Sequence, residues 1–348
     1  MRTLDERKKE ILSAIVYDYL ESAQPVGSRT IWRNHIHKLS PATIRNTMAD
    51  LEDEGYIKQP HTSAGRIPTD KGYRFFVDYL MSSRRLSQKE EEIINRTYQA
   101  LRLEIEELIE KTLEIMTKFS SYVVVLTIPS VYKSVIKMIH NILIDLRKIM
   151  VVMITTSGSS HLLINVTEEE TKNLDQNELN KVSNILTHKL NGATFESLNV
   201  ETIEKISREL PLYHNIINKI FLAIQTQLQA QALESRVYTS GISNIIKQPE
   251  FVDLEEIHHI LGIVEHQKEL AQTLQDYQSQ EKSINIHIGS ENPMKEMKKM
   301  SVVSRSYKIS SKTYGSLGII GPTRMRYGKI KSLVETISEK IDCLFEEE

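Results

Sequence analysis

The chain has one cysteine, Cys343, among 348 residues. A lone thiol excludes an internal disulfide framework and fits a reducing cytoplasm. Long apolar runs are missing too. None approaches the ~20 residues that span a bilayer, and "IMVVMI" is only strand-sized. The start, "MRTLDERKKEIL", mixes acids with bases and has no apolar stretch of the kind a secretory signal needs. Internal repeats and low-complexity tracts are also lacking. Net charge is small: 44 Lys and Arg against 46 Asp and Glu leave a formal −2. Any attraction to nucleic acid must therefore be local. What remains, at 40% hydrophobic and 26% charged residues, is an ordinary globular composition whose length suggests two or three domains.

Apolar residues at 4, 11, 12, 15, 16, 19 and 20 follow the three-four rhythm of an amphipathic helix. "PVGS" breaks it, and Ser28 is expected to cap a short second helix that turns Ile31, Trp32 and Ile36 inward. In "LSPATIRNTMADLEDEGY" Ser40 reads as an N-cap, Pro41 as the first helical residue and Gly55 as the terminator. "YIKQP" is strand-like, "PHTSAGRIPT" a turn, and Thr69 caps a further helix. Three helices followed by strand–turn–strand make a winged helix-turn-helix pattern. After a polar junction at 82–92, one long helix is expected from about Glu91 to Phe119. The strand-like segments "YVVVLTI", "IHNILIDL", "KIMVVMITT" and "HLLINV" follow. Residues 166–236 read as a helical insert, "INIHIG", "KMSVVSRSY" and "GSLGIIG" as returning strands, and Arg326 to Phe345 as a last helix. The fold class is multidomain α+β.

Charge in the first 80 residues is sorted by sign. No acid lies between Glu21 and Asp50, where Arg29, Arg33, Lys38 and Arg45 occur, and none lies from Gly55 to Thr69, where Lys58 and Arg66 occur. At 100° per residue Ile44, Met48 and Leu51 share one face of the third helix. Ala42, Asn46 and Ala49 gather opposite, flanked by Thr43 and Arg45. Small residues let a helix enter a major groove about 12 Å wide, where Asn pairs with adenine and Arg with guanine or phosphate. Ser40 and Thr43 suit phosphate oxygens, and Ser28 and Arg29 are further DNA-binding candidates. In the turn, His61, Thr62, Ser63 and Arg66, with Lys58 just before it, would contact phosphates or the minor groove, with Gly65 supplying a positive-φ turn.

"PVGSRTI", "LSPATIRNTMADLEDEGYI", "PHTSAGRIPTDKGYRFFVDYL", "IGSEN" and "GSLGIIGPTRMRYGK" resemble the HrcA family of bacterial heat-inducible transcription repressors. The likeness is dense over Leu4 to Leu80 and covers about 249–345 near the end. Arg326 departs from it, standing where the family pattern carries an acid. The resemblance implies a winged-helix DNA-binding domain at 1–85. A GAF-like domain would be split between 86–165 and 237–348, with an inserted dimerisation domain at 166–236. It also implies a homodimer on an inverted-repeat operator, the CIRCE element, preventing induction of chaperonin and DnaK-operon genes at normal temperature. The GroE chaperonin would act as modulator, in a cytoplasmic protein that joins the nucleoid when bound to double-stranded DNA. Within the insert, Leu212, Ile216, Ile220 and Ile224 lie at helical spacing, as either intramolecular core or a dimerisation surface.

Other readings are weaker. His258, His259 and His266 lack HExxH spacing and any cysteine cluster, so no metal is expected. "GPTRMRYGKI" misses P-loop spacing, and Gly318, Gly321 and Pro322 read as turn residues after a strand. "TSGSSH" lacks G-x-S-x-G and reads as a hairpin turn around Gly158. Cys343 falls at an apolar-looking position of the last helix, which suggests packing. No cofactor, membrane contact or enzyme chemistry is expected. The competing function is a ligand-gated regulator whose GAF-like domain senses a small metabolite, an analogy from fold alone.

Overall fold

The computed structural model describes residues 4–62, 64–82, 85–101, 105–128, 135–156, 158–171, 174–194, 197–198, 200–231, 236–251, 253–277, 283–310 and 313–346. At the N-terminus α1 (Glu6–Ser22), α2 (Ser28–Asn34) and α3 (Pro41–Asp53) precede a two-stranded ribbon, β1 (Ile57–Lys58) paired antiparallel with β2 (Ile67–Pro68). Then α4 (Asp70–Phe75) runs into a π-turn at Phe76–Leu80. The Asp5 side chain caps α1, and the Thr69 side chain accepts from the Gly72 amide to cap α4. Helix α2 begins one residue earlier than expected. Gly27 holds its N-cap position and Ser28 is already helical. Ile31 and Ile36 are buried as expected, but Trp32 is 41% exposed.

The single long helix expected from Glu91 to Phe119 is instead two, α5 (Gln88–Ala100) and α6 (Ile105–Ser120). The hydroxyls of Tyr98 and Thr112 share a hydrogen bond of 2.7 Å. On a straight helix 14 residues would separate them by about 21 Å, so the chain doubles back. That contact buries both side chains between the two helices.

Next come β3 (Val123–Ile128), β4 (Ile136–Asp145), β5 (Lys148–Thr155) and β6 (Gly158–Asn165). Helices α7 (Glu168–Thr171), α8 (Gln176–Leu190), α9 (Val200–Glu209) and α10 (His214–Gln231) follow. The chain then forms β7 (Arg236–Ser240), α11 (Ile242–Ile245), α12 (Leu254–Glu265), α13 (Gln267–Asp276) and β8 (Asn285–Ile288). It closes with β9 (Met300–Ser310), β10 (Thr313–Pro322) and α14 (Tyr327–Glu346).

Five strands form an antiparallel sheet in the order β7-β3-β10-β9-β8. One face packs with α6 and α14 through Val124, Leu126, Ile319 and Leu333. The other packs with α12 and α13 through Val125, Val302, Ile263 and Leu274. Coverage on both faces explains why β3 is apolar at every position but Thr127 and buried throughout. Gly318 and Gly321 lie inside β10, not in a turn beyond it. A side chain at Gly321 would meet the Tyr122 ring and Met325.

Strand pairing delimits the insert. The chain leaves the sheet at Ile128 and returns at Arg236, and these two residues are directly opposite in the β3–β7 ladder. Between them, among the described residues, β4, β5 and β6 form a three-stranded sheet of their own, in that order. Their inner face forms a separate core with α8, α9 and α10. The division expected at residue 165/166 is therefore corrected. The strands of 136–165 belong with the helices that follow them, because Ile139, Val151 and Ile164 pack against Leu179, Val182 and Ile220. Ile216, Ile220 and Ile224, considered as a dimerisation stripe, are buried in this core, while Leu212 is 89% exposed. The β5–β6 hairpin turns at Gly158, whose φ is +117°. Cys343 is exposed, and its neighbour Asp342 faces inward, accepting from the Lys308 amide at 2.6 Å.

Candidate nucleic-acid interface

Helix α3 is built to hold one face inward and offer the other. Ser40 Oγ accepts from the Thr43 amide at 3.0 Å, Pro41 opens the first turn, and Gly55 follows the helix at φ +76°. Ile44, Thr47, Met48 and Leu51 are buried against α1 and α2, whereas Ala42, Arg45, Asn46 and Ala49 are exposed. The side chains expected to reach bases thus share the free face. The Ser40 and Thr43 hydroxyls lie 2.9 Å apart, so their first partner is each other.

The ribbon after α3 is braced from within the domain. Gln59 Nε2 donates to the carbonyls of Thr62 and Ala64, at 2.9 and 3.0 Å. Glu52, on the last turn of α3, accepts from the Gln59 amide at 3.0 Å and from Arg66 Nε at 2.8 Å. Arg66 Nη2 approaches the same carboxylate oxygen at 2.6 Å. Arg66 was expected as a backbone contact of the turn; here it is an internal strut. Neither brace was apparent in the linear pattern, because Glu52 lies seven residues from Gln59 and fourteen from Arg66. Gly65 also has another reason than the one expected. Its φ is not positive. Instead the Val26–Arg66 bridge brings backbone so close that a Cβ at Gly65 would sit 2.5 Å from Val26. Ser63 lies outside the described residues.

Sorting of charge carries over into three dimensions. Asp18 of α1 lies within hydrogen-bond distance of His35 Nε2 at 2.6 Å, and Glu10 pairs with Lys38 at 2.9 Å. Lys8 and Lys71 hold Glu54, through its carboxylate and its carbonyl. Among the described residues no carboxylate pairs with Arg29, Arg33, Arg45 or Lys58, all of which are exposed. His61 and Thr62 are exposed at the ribbon tip. Ser28, in the first turn of α2, is half-buried.

The reading head is tied to the rest of the chain. Arg74 Nε and Nη2 donate to the two Glu291 carboxylate oxygens at 2.9 and 2.5 Å, and Nη2 also donates to the Ile286 carbonyl. Asp70 accepts from the Ser290 amide at 2.8 Å. Gly289, in the same "IGSEN" segment, has φ +52°, and its Cα is pressed so closely against the Asp70 carboxylate that no side chain fits. Arg324 of "GPTR" donates to the Leu20 carbonyl at 2.9 Å while paired with Glu250. Burial alone would push the Glu291 carboxyl up. The Arg74 hydrogen bond and the Ile288 amide outweigh it and hold the group below its ordinary value. Arg74 is raised by the same pairing.

Elsewhere, among the described residues no group of three or more His, Cys, Asp or Glu is placed to hold a metal ion. No helix among them is long and apolar enough to cross a membrane.

Three helices and a braced two-stranded ribbon ahead of a sheet-based body define the class: a multidomain protein of mixed α+β fold with an N-terminal helical region. Comparisons narrow this. The family model "HrcA protein C terminal domain" matches residues 106–330. The heat-inducible transcription repressor HrcA of Pelotomaculum thermopropionicum is 37% identical over 343 residues, covering 99% of this chain and 97% of that protein. Its counterpart in Acetivibrio thermocellus is 38% identical over 339 residues, covering 97% and 95%. A solved structure described as a hypothetical protein at 2.2 Å resolution shares the fold at TM-score 0.62 and 23% identity, with 99% of each chain covered. The chain belongs to the HrcA family of heat-inducible transcription repressors. The family is one of regulators of the heat-shock response, not of enzymes.

Proposed function

We propose that this chain represses class I heat-shock genes, the chaperonin and DnaK operons, by binding an inverted-repeat CIRCE operator as a cytoplasmic homodimer. The observation that carries this reading is the outer face of α3, where Ala42, Arg45, Asn46 and Ala49 are exposed together on a helix whose other side is locked into its own domain. Arg29, Arg33 and Lys58 surround it as phosphate contacts. His61 and Thr62 at the ribbon tip lie along the backbone.

An inverted repeat calls for a two-fold symmetric reader. Ile216, Ile220 and Ile224 are buried in a core of their own chain, which favours the intramolecular reading of that stripe over a role as partner surface. The reading transfers that role to the uncovered outer face of β4–β6, where Met138 is 41%, Ile144 50% and Leu163 62% exposed. Apolar side chains grouped on one sheet face favour coverage by a second copy. The GroE chaperonin enters as the factor that keeps the repressor folded, and a net charge of only −2 gives the unassisted chain little protection from aggregation.

A salt-titrated mobility-shift assay tests the proposal, comparing an inverted-repeat duplex with a scrambled one, with and without chaperonin. The expected result is two-fold-symmetric binding of the repeat, stronger and longer-lived when chaperonin is present. Well-folded protein that treats both duplexes alike would overturn it.

A further inference from the structure

A cavity of about 430 Å³ lies where the N-terminal domain meets the body. That volume is within the range of small-molecule sites. Tyr17 and Phe76 meet edge to face at 5.2 Å on one side of it, and Tyr327 lines the other. Arg85, from the segment joining the two parts, and Arg326, just before α14, converge on the same space. Both arginines are exposed, and among the described residues neither has a carboxylate partner. A third cation, Lys329, is already paired with Glu90 at 2.7 Å. Among the described residues Glu21 is the one acid in the lining.

Two unpaired guanidinium groups beside aromatic walls form a chemically specific combination. Guanidinium forks bind carboxylate or phosphate in two-pronged fashion, and the rings supply apolar contact. We propose that this cavity binds a small aryl anion, an aryl carboxylate or aryl phosphate, with its head group on Arg85 and Arg326 and its ring against Tyr17 and Phe76. The site lies between domains, outside the sheet of the body. Its walls come from α1 and the π-turn on one side and from the start of α14 on the other. Occupancy therefore joins the reading head to the body, and ligand and operator affinities are linked reciprocally.

Isothermal titration of the full-length chain provides the test, with phenyl phosphate, benzoate, inorganic phosphate and phenol as probes. One site per chain is expected. Phenyl phosphate or benzoate should bind at least about tenfold more tightly than inorganic phosphate or phenol, and R85A or R326A should each weaken the aryl anion by about tenfold, the loss of one charge-assisted contact. Preference between the two aryl anions identifies the head group. Both arginines are exposed, and unchanged melting temperatures will confirm that the variants fold. No saturable binding of either aryl anion at millimolar concentration overturns the proposal. So does binding that ignores both arginine changes, or phenol binding as tightly as the anions. A second arm, which rests on the function proposed above, measures operator affinity with and without the aryl anion. A chain that binds no operator counts against that function and leaves the titration to decide the site. Operator binding unmoved by a ligand that does bind overturns the coupling.

Discussion

Glu52→Gln isolates what the wing arginine does. In the folded chain one Glu52 oxygen receives both Arg66 Nε and Nη2, at 2.8 and 2.6 Å, and the other receives the Gln59 amide at 3.0 Å. Glutamine keeps one oxygen as acceptor for the Gln59 amide and replaces the oxygen that receives Arg66 with an NH2 donor, so the charge and both Arg66 hydrogen bonds are lost together. The two side chains are 21% and 30% exposed, so the pair is shielded more than an open surface bridge and less than a core one. The expected stability loss is about 1 kcal/mol, at the upper end of exposed pairs. Binding should change in the opposite direction. Arg66 becomes available to a phosphate, and one further phosphate contact steepens the slope of log affinity against log salt by about 0.9. Affinity for the inverted repeat and for a scrambled duplex should rise together at low salt. Urea unfolding measures the first effect and salt-titrated mobility shift the second. An unchanged slope would refute the idea that Glu52 holds Arg66 away from the DNA backbone.

Four further outcomes follow from the same geometry. Ile220→Ala should cost about 2–5 kcal/mol in denaturant unfolding, because the side chain is fully buried in the insert; a variant that keeps its stability but becomes monomeric would place Ile220 at an interface instead. Leu163→Glu should yield a folded monomer in sedimentation, and a persistent dimer would remove the outer sheet face as the partner surface. Gly65→Ala forces a Cβ against the Val26 backbone and should cost about 1–3 kcal/mol while weakening binding to every duplex; a neutral result would mean that the wing shifts freely. The fourth concerns pH. The Glu291 carboxyl sits below its ordinary value when folded, so its contribution is complete above the unfolded carboxylate range and fades as pH falls through the lower, folded value. Glu291→Gln should therefore flatten the acid limb of stability measured from pH 6 to 3, and an unaltered limb would show that the Arg74 pairing contributes nothing.

Local signals were the readable ones. Ser40, Pro41 and Gly55 bound α3 as their residue types suggest, because caps and terminators act within one turn of chain. The strand-like segments quoted at 123–165 and 285–322 all form strands, with the short β7 the one overlooked. Long-range effects were not readable. Arg66 looked free because its partner Glu52 is fourteen residues away and in another element. Gly65 looked like a conformational choice, and only the Val26 backbone packed over it reveals a spatial one. Trp32 has the composition of a core residue yet sits at the domain edge, its ring 6.0 Å from that of His37. The limits of the insert depend on which strand pairs with which, and the Ile128–Arg236 pairing spans more than 100 residues. At Asp342 and Cys343 a helical face was misjudged by one position, a 100° error that reverses in from out.

On the function proposed above, the outer face of α3 reads bases. The most direct measurement of this is the affinity of Asn46→Ala for the inverted repeat and for a scrambled duplex, at matched salt. A base-reading Asn46 predicts a loss of about 1–3 kcal/mol on the repeat, with little change on the scrambled duplex and an unchanged salt slope. Equal weakening on both duplexes, or none on either, would contradict the account.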